Sequence, residues 1–250
     1  MKLARLNDGP EIFHTIQGEG ATAGYPAVFI RTSRCNLHCV WCDTDHTWNF
    51  EGTPWPHLKD GLPAYTKFNK NEATWEMSPE DAAERILAHD CPRVVLTGGE
   101  PLLQEQDLLA LIAILRARRN DMVFEIETNG TRTPSAKMAQ AIDQFNVSPK
   151  LANSCIKAEL RLVPDALNTL AALPHSWFKF VVTSPEDLSE IEELLENHPI
   201  RFSRVILMPE GRSCEVLDER AKWLADCCRD RGFRYGERLH VRLWGDKRGV

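Results

Sequence analysis

The sequence predicts an α/β fold, a partial and open (β/α) barrel of roughly six strands. Two observations carry that reading. From about Pro92 onward, short β-branched or aromatic runs ending in turn residues alternate with stretches of helical periodicity, which implies parallel strands joined by right-handed helical crossovers. The polar and glycine-rich motifs fall where those strands end, and barrels gather their functional groups at the carboxyl ends of their strands. The units are too few for a closed eight-fold ring, and 250 residues suit one large domain over residues 1–250.

Taken in order, PAVFIRTS (Pro26 to Ser33) is a strand that leads straight into RCNLHCVWCDT. Residues 48–76 are rich in Pro, Gly and aromatics, fit neither period, and read as an insertion or lid after that loop. SPEDAAERILAHD opens with Ser78, Pro79 and Asp81, a capping-box start for a helix. RVVLTGG reads as a strand and EQDLLALIAILRARR as a helix with basic residues in its last turn. MVFEIETNG, FNVSPK, WFKFVVTS and RVILMPEG are further strands. SPEDLSEIEELLENH is expected to start a helix at Ser184 and Pro185, with acids in the first turn. EVLDERAKWLADCCRDRG is a helix ending on Gly232, a residue suited to the C′ position. Residues 232–250 are expected to form a C-terminal strand, HVRLWGDKRGV, and a tail that closes the site.

The net charge of −6 argues against a nucleic-acid surface, which needs a basic stripe, and favours a small-molecule ligand. No apolar run approaches the roughly 20 residues that span a bilayer. The N-terminal stretch has no apolar secretory region, so a cytoplasmic location is expected. In that compartment eight cysteines are not a disulfide framework. Cys91, Cys155 and Cys214 are expected as small buried side chains. Cys227 and Cys228 are neighbours on a helix and point apart. Only Cys35, Cys39 and Cys42 form a constellation, C-x3-C-x2-C.

Three thiolates in one loop suit zinc or an iron–sulfur cluster. Structural zinc prefers four protein ligands. His38, directly before Cys39, would strain a compact site, which leaves His46 as the better fourth ligand. The usual pair of C-x2-C knuckles is missing. A [4Fe–4S] cluster held by three cysteines has one iron open to a cofactor with paired amino and carboxylate groups.

C-x3-C-x2-C with an aromatic, Trp41, before the last cysteine resembles the signature of the radical S-adenosylmethionine superfamily. The resemblance implies that the open iron chelates the methionine end of S-adenosylmethionine, and that a 5′-deoxyadenosyl radical then abstracts hydrogen from a substrate. TGGEP (Thr97 to Pro101), ETNG (Glu127 to Gly130) and SPK (Ser148 to Lys150) sit at strand ends in agreement with it. Glycines suit a close backbone approach to the cofactor, because a Cβ would block it.

FHTIQGEGATAGYPAVFIR (Phe13 to Arg31), CDT after the third cysteine, SPK and the terminal HVRLWGDKRGV together resemble the 7-carboxy-7-deazaguanine synthases of queuosine biosynthesis. This similarity covers most of the chain outside 48–76. It implies conversion of 6-carboxy-5,6,7,8-tetrahydropterin by hydrogen abstraction at C6, ring contraction and loss of ammonia, with catalytic use of S-adenosylmethionine and help from Mg2+. A flavodoxin or ferredoxin reductant and a homodimer are implied as well.

The resemblance also implies residue roles. Cys35, Cys39 and Cys42 hold the cluster, and Thr44 offers its hydroxyl to Mg2+, a hard cation that takes oxygen ligands and keeps waters. Trp41, Cys42, Asp43, Gly99, Glu100, Asn129, Ser148, Pro149, Lys150, Met208 and Glu210 meet S-adenosylmethionine. Ile16, Gln17, Gly18, Glu19, Arg31, Thr97, His240 and Val250 meet the substrate. Gln and Glu suit the amidine-like edge of a pterin, and Arg31 suits its carboxylate. Two other readings stand beside this one. The first is a glycyl-radical-enzyme activase of the same superfamily, which would need a peptide groove. The second is a non-catalytic zinc-binding module.

Overall fold

The computed structural model describes residues 1–250. Its strands are β1 (Lys2–Leu6), β2 (Gly9–Pro10), β3 (Ile12–Ile16), β4 (Pro26–Thr32), β5 (Thr74–Glu76), β6 (Arg93–Gly98), β7 (Val123–Thr128), β8 (Gln144–Val147), β9 (Ser176–Val182), β10 (Val205–Pro209) and β11 (Arg234–Tyr235). Its helices are α1 (Lys70–Ala73), α2 (Pro79–Leu87), α3 (Glu105–Arg118), α4 (Ala136–Ala141), α5 (Ala158–Arg161), α6 (Pro164–Ala172), α7 (Asp187–Asn197), α8 (Cys214–Arg231) and α9 (Leu239–Trp244). From β4 to β11 the order is β4-β6-β7-β8-β9-β10-β11, every pair parallel. The outer edge of β4 is taken by antiparallel β3 and by a short contact with β1, so the sheet stays open.

Side chains alternate across each parallel strand. One set, including Val28, Ile30, Val94, Leu96, Phe124, Ile126, Phe145, Phe178, Phe180 and Leu207, faces the helices and joins a core of 37 buried residues. Each such side chain contributes about 1.5–3 kcal/mol of burial. The opposite set faces the barrel interior and is largely polar toward the strand ends. Arg31, Thr97, Glu127, Lys179 and Met208 lie there, and below them Glu125, Gln144 and Asn146 are joined by hydrogen bonds.

Helix boundaries follow the capping chemistry. Ser78 accepts from the Asp81 N–H at 3.0 Å, and Gly232 adopts φ +76° at the end of α8. The α7 start is a correction. Ser184 does not cap it, because the Asp187 carboxylate takes the N–H groups of Thr183 and Ser184 at 2.7 and 3.2 Å, which folds 183–186 into a turn.

Two further expectations change. The HVRLW segment is helical, within α9, not a strand. The free edge of β10 is already filled by Arg234–Tyr235, and Gly236 N–H continues that ladder to Leu207 O at 2.8 Å. The chain then turns over the cavity mouth, where Leu239 N–H donates to Gly18 O at 2.8 Å. Residues 48–76 are a strap rather than a lid, since Trp48 alone of them lines the cavity, and their end supplies α1 and the edge strand β5. The strap holds the cysteine loop from outside. Leu58 N–H donates to Val40 O at 2.8 Å, His57 Nε2 donates to Cys42 O at 2.8 Å, and the Trp55 ring stacks on His38 at 3.6 Å.

Candidate active site

The strand ends open into one cavity of about 230 Å³. β4 delivers the chain into the cysteine loop by way of Arg34, whose φ is +80°. Arg34 N–H donates to Thr47 O at 2.8 Å, and its carbonyl accepts from Glu100 N–H at 2.9 Å. Gly99 N–H donates to Thr32 O at 3.1 Å, so the glycine-rich turn lies directly on the loop backbone. A Cβ on Gly99 would sit 2.1 Å from Arg34 O, and one on Gly98 2.2 Å from Thr32 O. That contact explains the glycine pair after β6.

Cys35, Cys39 and Cys42 all line the cavity as free thiols. Three thiols with no fourth protein ligand beside them suit an iron–sulfur cluster with one open iron better than a closed tetrahedral zinc site. His46 is not a fourth ligand, because its Nε2 is buried against Glu11 at 3.1 Å, and His38 is taken up by stacking on Trp55. Burial pushes the Cys39 thiol up to about 12, with Lys150 pulling the other way. Burial also raises Cys35 and Cys42. Loading a metal group therefore releases protons from these sulfurs. Cys155 is a further correction, since it is exposed, in a left-handed turn after Ser154.

Around the thiols, Trp41 Nε1 donates to Asn153 O at 3.0 Å, and Lys150 Nζ lies 5.7 Å over the Trp41 ring. Lys150 Nζ also donates to Ser148 Oγ at 2.9 Å. Asn129 Nδ2 donates to Asn36 Oδ1 at 3.0 Å and ties the end of β7 to the cysteine loop. Thr44, Asp43, Met208 and Glu210 line the cavity too, Glu210 paired with Arg220.

The other half of the cavity is built from Ile16, Gln17, Gly18, Glu19, Arg31, Thr97, His240 and Val250. Arg31 donates through Nε to Glu11 Oε1 at 2.8 Å, and its two Nη nitrogens make no hydrogen bond to the protein, with Asp43 and Cys42 nearby. Gln17 Nε2 donates to Glu127 Oε1 at 3.2 Å. Lys179 donates to Glu127 at 3.1 Å and also to Glu19. Burial pushes the Glu127 carboxyl up, with Lys179 opposing, whereas at Glu19 the burial penalty is overridden by Lys179 and Arg238 and the carboxyl lies well below the usual range. Glu19, Asp43 and His240 come within 4.8 Å of one another, but Arg238 donates to both carboxylates and to Gly211 O at 2.6 Å, so a guanidinium satisfies that trio.

Two expected contacts fall outside the cavity wall. Glu100 is fully buried and accepts from Leu102 N–H at 3.0 Å, Asn129 N–H at 2.8 Å and Thr128 Oγ1 at 2.9 Å. It braces the two strand-end loops from behind. Pro149 packs toward Gly130, outside the lining, while its neighbours Ser148 and Lys150 face in. Sequence reasoning missed Lys179 and Arg238. Lys179 had a signal, a lysine alternating with Phe178 and Phe180 inside an apolar strand, whereas nothing local marks Arg238.

Residues 29–197 match the radical SAM superfamily. A 7-carboxy-7-deazaguanine synthase from Pyrobaculum aerophilum is 35% identical over 96% of this chain and 95% of its own length. One from Halobacterium salinarum is 36% identical, covering 96% and 93%. The crystal structure of QueE from Escherichia coli overlays with a TM-score of 0.65 at 29% identity, covering 92% of each chain. With three cysteines and a glycine turn closing one cavity, and with near full-length relatives of one kind, the chain belongs to the 7-carboxy-7-deazaguanine synthase family of radical SAM enzymes.

Proposed function

We propose that this chain converts 6-carboxy-5,6,7,8-tetrahydropterin to 7-carboxy-7-deazaguanine with loss of ammonia, by hydrogen abstraction at C6 and ring contraction, with catalytic use of S-adenosylmethionine and assistance from Mg2+. One observation supports it above the rest. Arg31 is held by its Nε edge and keeps both Nη donors free in the cavity that also contains the cysteine loop, which is the geometry for gripping a carboxylate end-on.

A [4Fe–4S] cluster and S-adenosylmethionine are the cofactors of the family. Cys35, Cys39 and Cys42 would hold the cluster. Trp41, Asp43, Gly99, Asn129, Ser148, Lys150, Met208 and Glu210 stand where they would meet S-adenosylmethionine. Together these groups supply hydrogen-atom abstraction when bound. The protein supplies orientation. Gln17, Glu19 and Glu127 would face the amidine edge of a pterin, and the Lys179 ammonium sits between the two carboxylates, opposing the burial that pushes the Glu127 carboxyl up. Thr44 offers a neutral hydroxyl beside Cys42, leaving the other oxygen sites of a Mg2+ ion to water and the substrate carboxylate. His240 and Val250 complete the wall. A flavodoxin or ferredoxin donor, a homodimer and a cytoplasmic setting go with this reading. No helix is long and apolar enough to cross a membrane.

The test combines reconstituted, reduced protein with S-adenosylmethionine, Mg2+ and the carboxytetrahydropterin under anaerobic conditions. A deazapurine product by mass and absorbance is expected. Thr44→Ala should raise the Mg2+ concentration needed for half activity without changing iron content. Cofactor cleavage with no deazapurine formed would overturn the assignment.

A further inference from the structure

Glu11 lies outside the cavity wall and is 1% exposed. Its backbone is fixed on both sides, N–H to Ala4 O at 2.7 Å and C=O from Arg31 N–H at 3.1 Å. Its two carboxylate oxygens have different partners. Oε1 takes Arg31 Nε at 2.8 Å. Oε2 takes His46 Nε2 at 3.1 Å and Arg248 Nη2 at 2.5 Å. Arg248 is anchored in turn on Arg5 O at 2.8 Å, and Gly249 follows at φ +74°, seated so closely on Leu6 that a Cβ would lie 2.4 Å from its Cδ2.

We infer that Glu11 is a positioning residue for substrate recognition: His46 and Arg248 clamp its carboxylate so that it holds the Nε edge of Arg31 and aims the free Nη pair into the cavity. The division of labour between the two oxygens carries this reading. A guanidinium has five donors in a fixed plane, and fixing the Nε edge leaves one orientation for the terminal fork. A buried ion cluster is weak evidence of stability, because well-packed apolar replacements often stabilise a fold as much or more. What an apolar side chain cannot do is orient Arg31. Glu11 stands 20 positions before Arg31, and no cavity-lining position reveals it as the holder.

The inference rests on the proposed substrate's carboxylate, and the experiment separates the two. Cluster-loaded protein with S-adenosylmethionine is titrated calorimetrically, under anaerobic conditions, with the carboxytetrahydropterin and with tetrahydropterin lacking the carboxylate. Wild type is expected to prefer the acid. Glu11→Gln keeps the shape but loses the charge, and should weaken the acid by about 10- to 100-fold. It should leave the uncarboxylated ligand within about threefold and the iron content unchanged. In an Arg31→Gln background the same change should add little, because both act through one guanidinium. Arg248→Gln, at a side chain 36% exposed, removes one clamp and should give a smaller loss for the acid alone. That variant decides the matter if Glu11→Gln fails to fold. Equal weakening of both ligands, or retained acid affinity in Glu11→Gln while Arg31→Gln loses it, overturns the positioning role only. No preference for the acid in wild type overturns the substrate reading, and this inference with it.

Discussion

Gly99→Ala tests how the glycine turn and the cysteine loop depend on each other. The added methyl would sit 2.1 Å from Arg34 O, 2.5 Å from Arg34 C and 2.9 Å from Cys35 Cβ. Two of these atoms are backbone, so no side-chain rotation relieves the overlap, and one of the two chains must withdraw. Overpacking of this kind costs about 1–3 kcal/mol. Withdrawal also stretches the Gly99 N–H to Thr32 O bond and the Glu100 N–H to Arg34 O bond, each worth about 0.5–1.5 kcal/mol. The total, about 2–6 kcal/mol, falls on the segment carrying Cys35. Small domains hold about 5–15 kcal/mol in all, so the expected result is a folded protein with a displaced loop. Iron bound per chain after anaerobic reconstitution should fall well below wild type, and the affinity for S-adenosylmethionine with it, while far-ultraviolet circular dichroism is unchanged. Full iron content and full cofactor affinity in Gly99→Ala would refute the contact argument.

Glu100→Gln keeps one acceptor oxygen but sets its single NH2 against either the Asn129 or the Leu102 N–H, and should cost about 1–3 kcal/mol, read as a melting temperature lower by roughly 2–4 °C per kcal/mol for a chain of this size. Arg238→Met removes the buried partner of Glu19 and Asp43, and should cost about 3–5 kcal/mol in urea unfolding. Acid sensitivity follows from Glu11, where burial would raise the carboxyl but Arg31, His46 and Arg248 outweigh it and hold it below the usual range. The unfolded chain then takes up that proton first, so the stabilisation is complete above an ordinary glutamate value of about 4.3 and is lost as the pH falls further. Urea midpoints of the metal-free protein should drop between about pH 5 and pH 3, and Glu11→Gln should flatten that drop.

The parallel strands, the cysteine loop and the glycine turn were legible because each is a local pattern. Alternating apolar residues, capping at Ser78 and a left-handed Gly232 are all decided within one turn or one strand. The antiparallel β1, β2 and β3 carry no comparable run, and β5 is a strand only because the edge of β1 is there to pair with it. HVRLW has strand-like composition, yet its fate was set by Arg234–Tyr235, which took the edge of β10 first. At α7 a serine–proline pair suggested a start that the Asp187 carboxylate moved by a few residues. In the site, most cavity-lining residues were found, Lys179 and Arg238 excepted, and Glu11, which holds Arg31 from behind, was not. Glu11 and Arg238 make contacts across 20 to 237 positions of sequence, a range at which no periodicity operates.

The alternation along the barrel strands separates two kinds of side chain. Phe124, Ile126, Phe178 and Phe180 fold the chain from the helix side, and Glu125, Glu127 and Lys179 beside them face a polar interior outside that core. Replacing an inward side chain opens no hole in the packed layer, but its charge partners on the neighbouring strands have to change with it. Along β7 and β9 the barrel wall is thus divided, at single-residue intervals, into an apolar outer grain and a charged inner one.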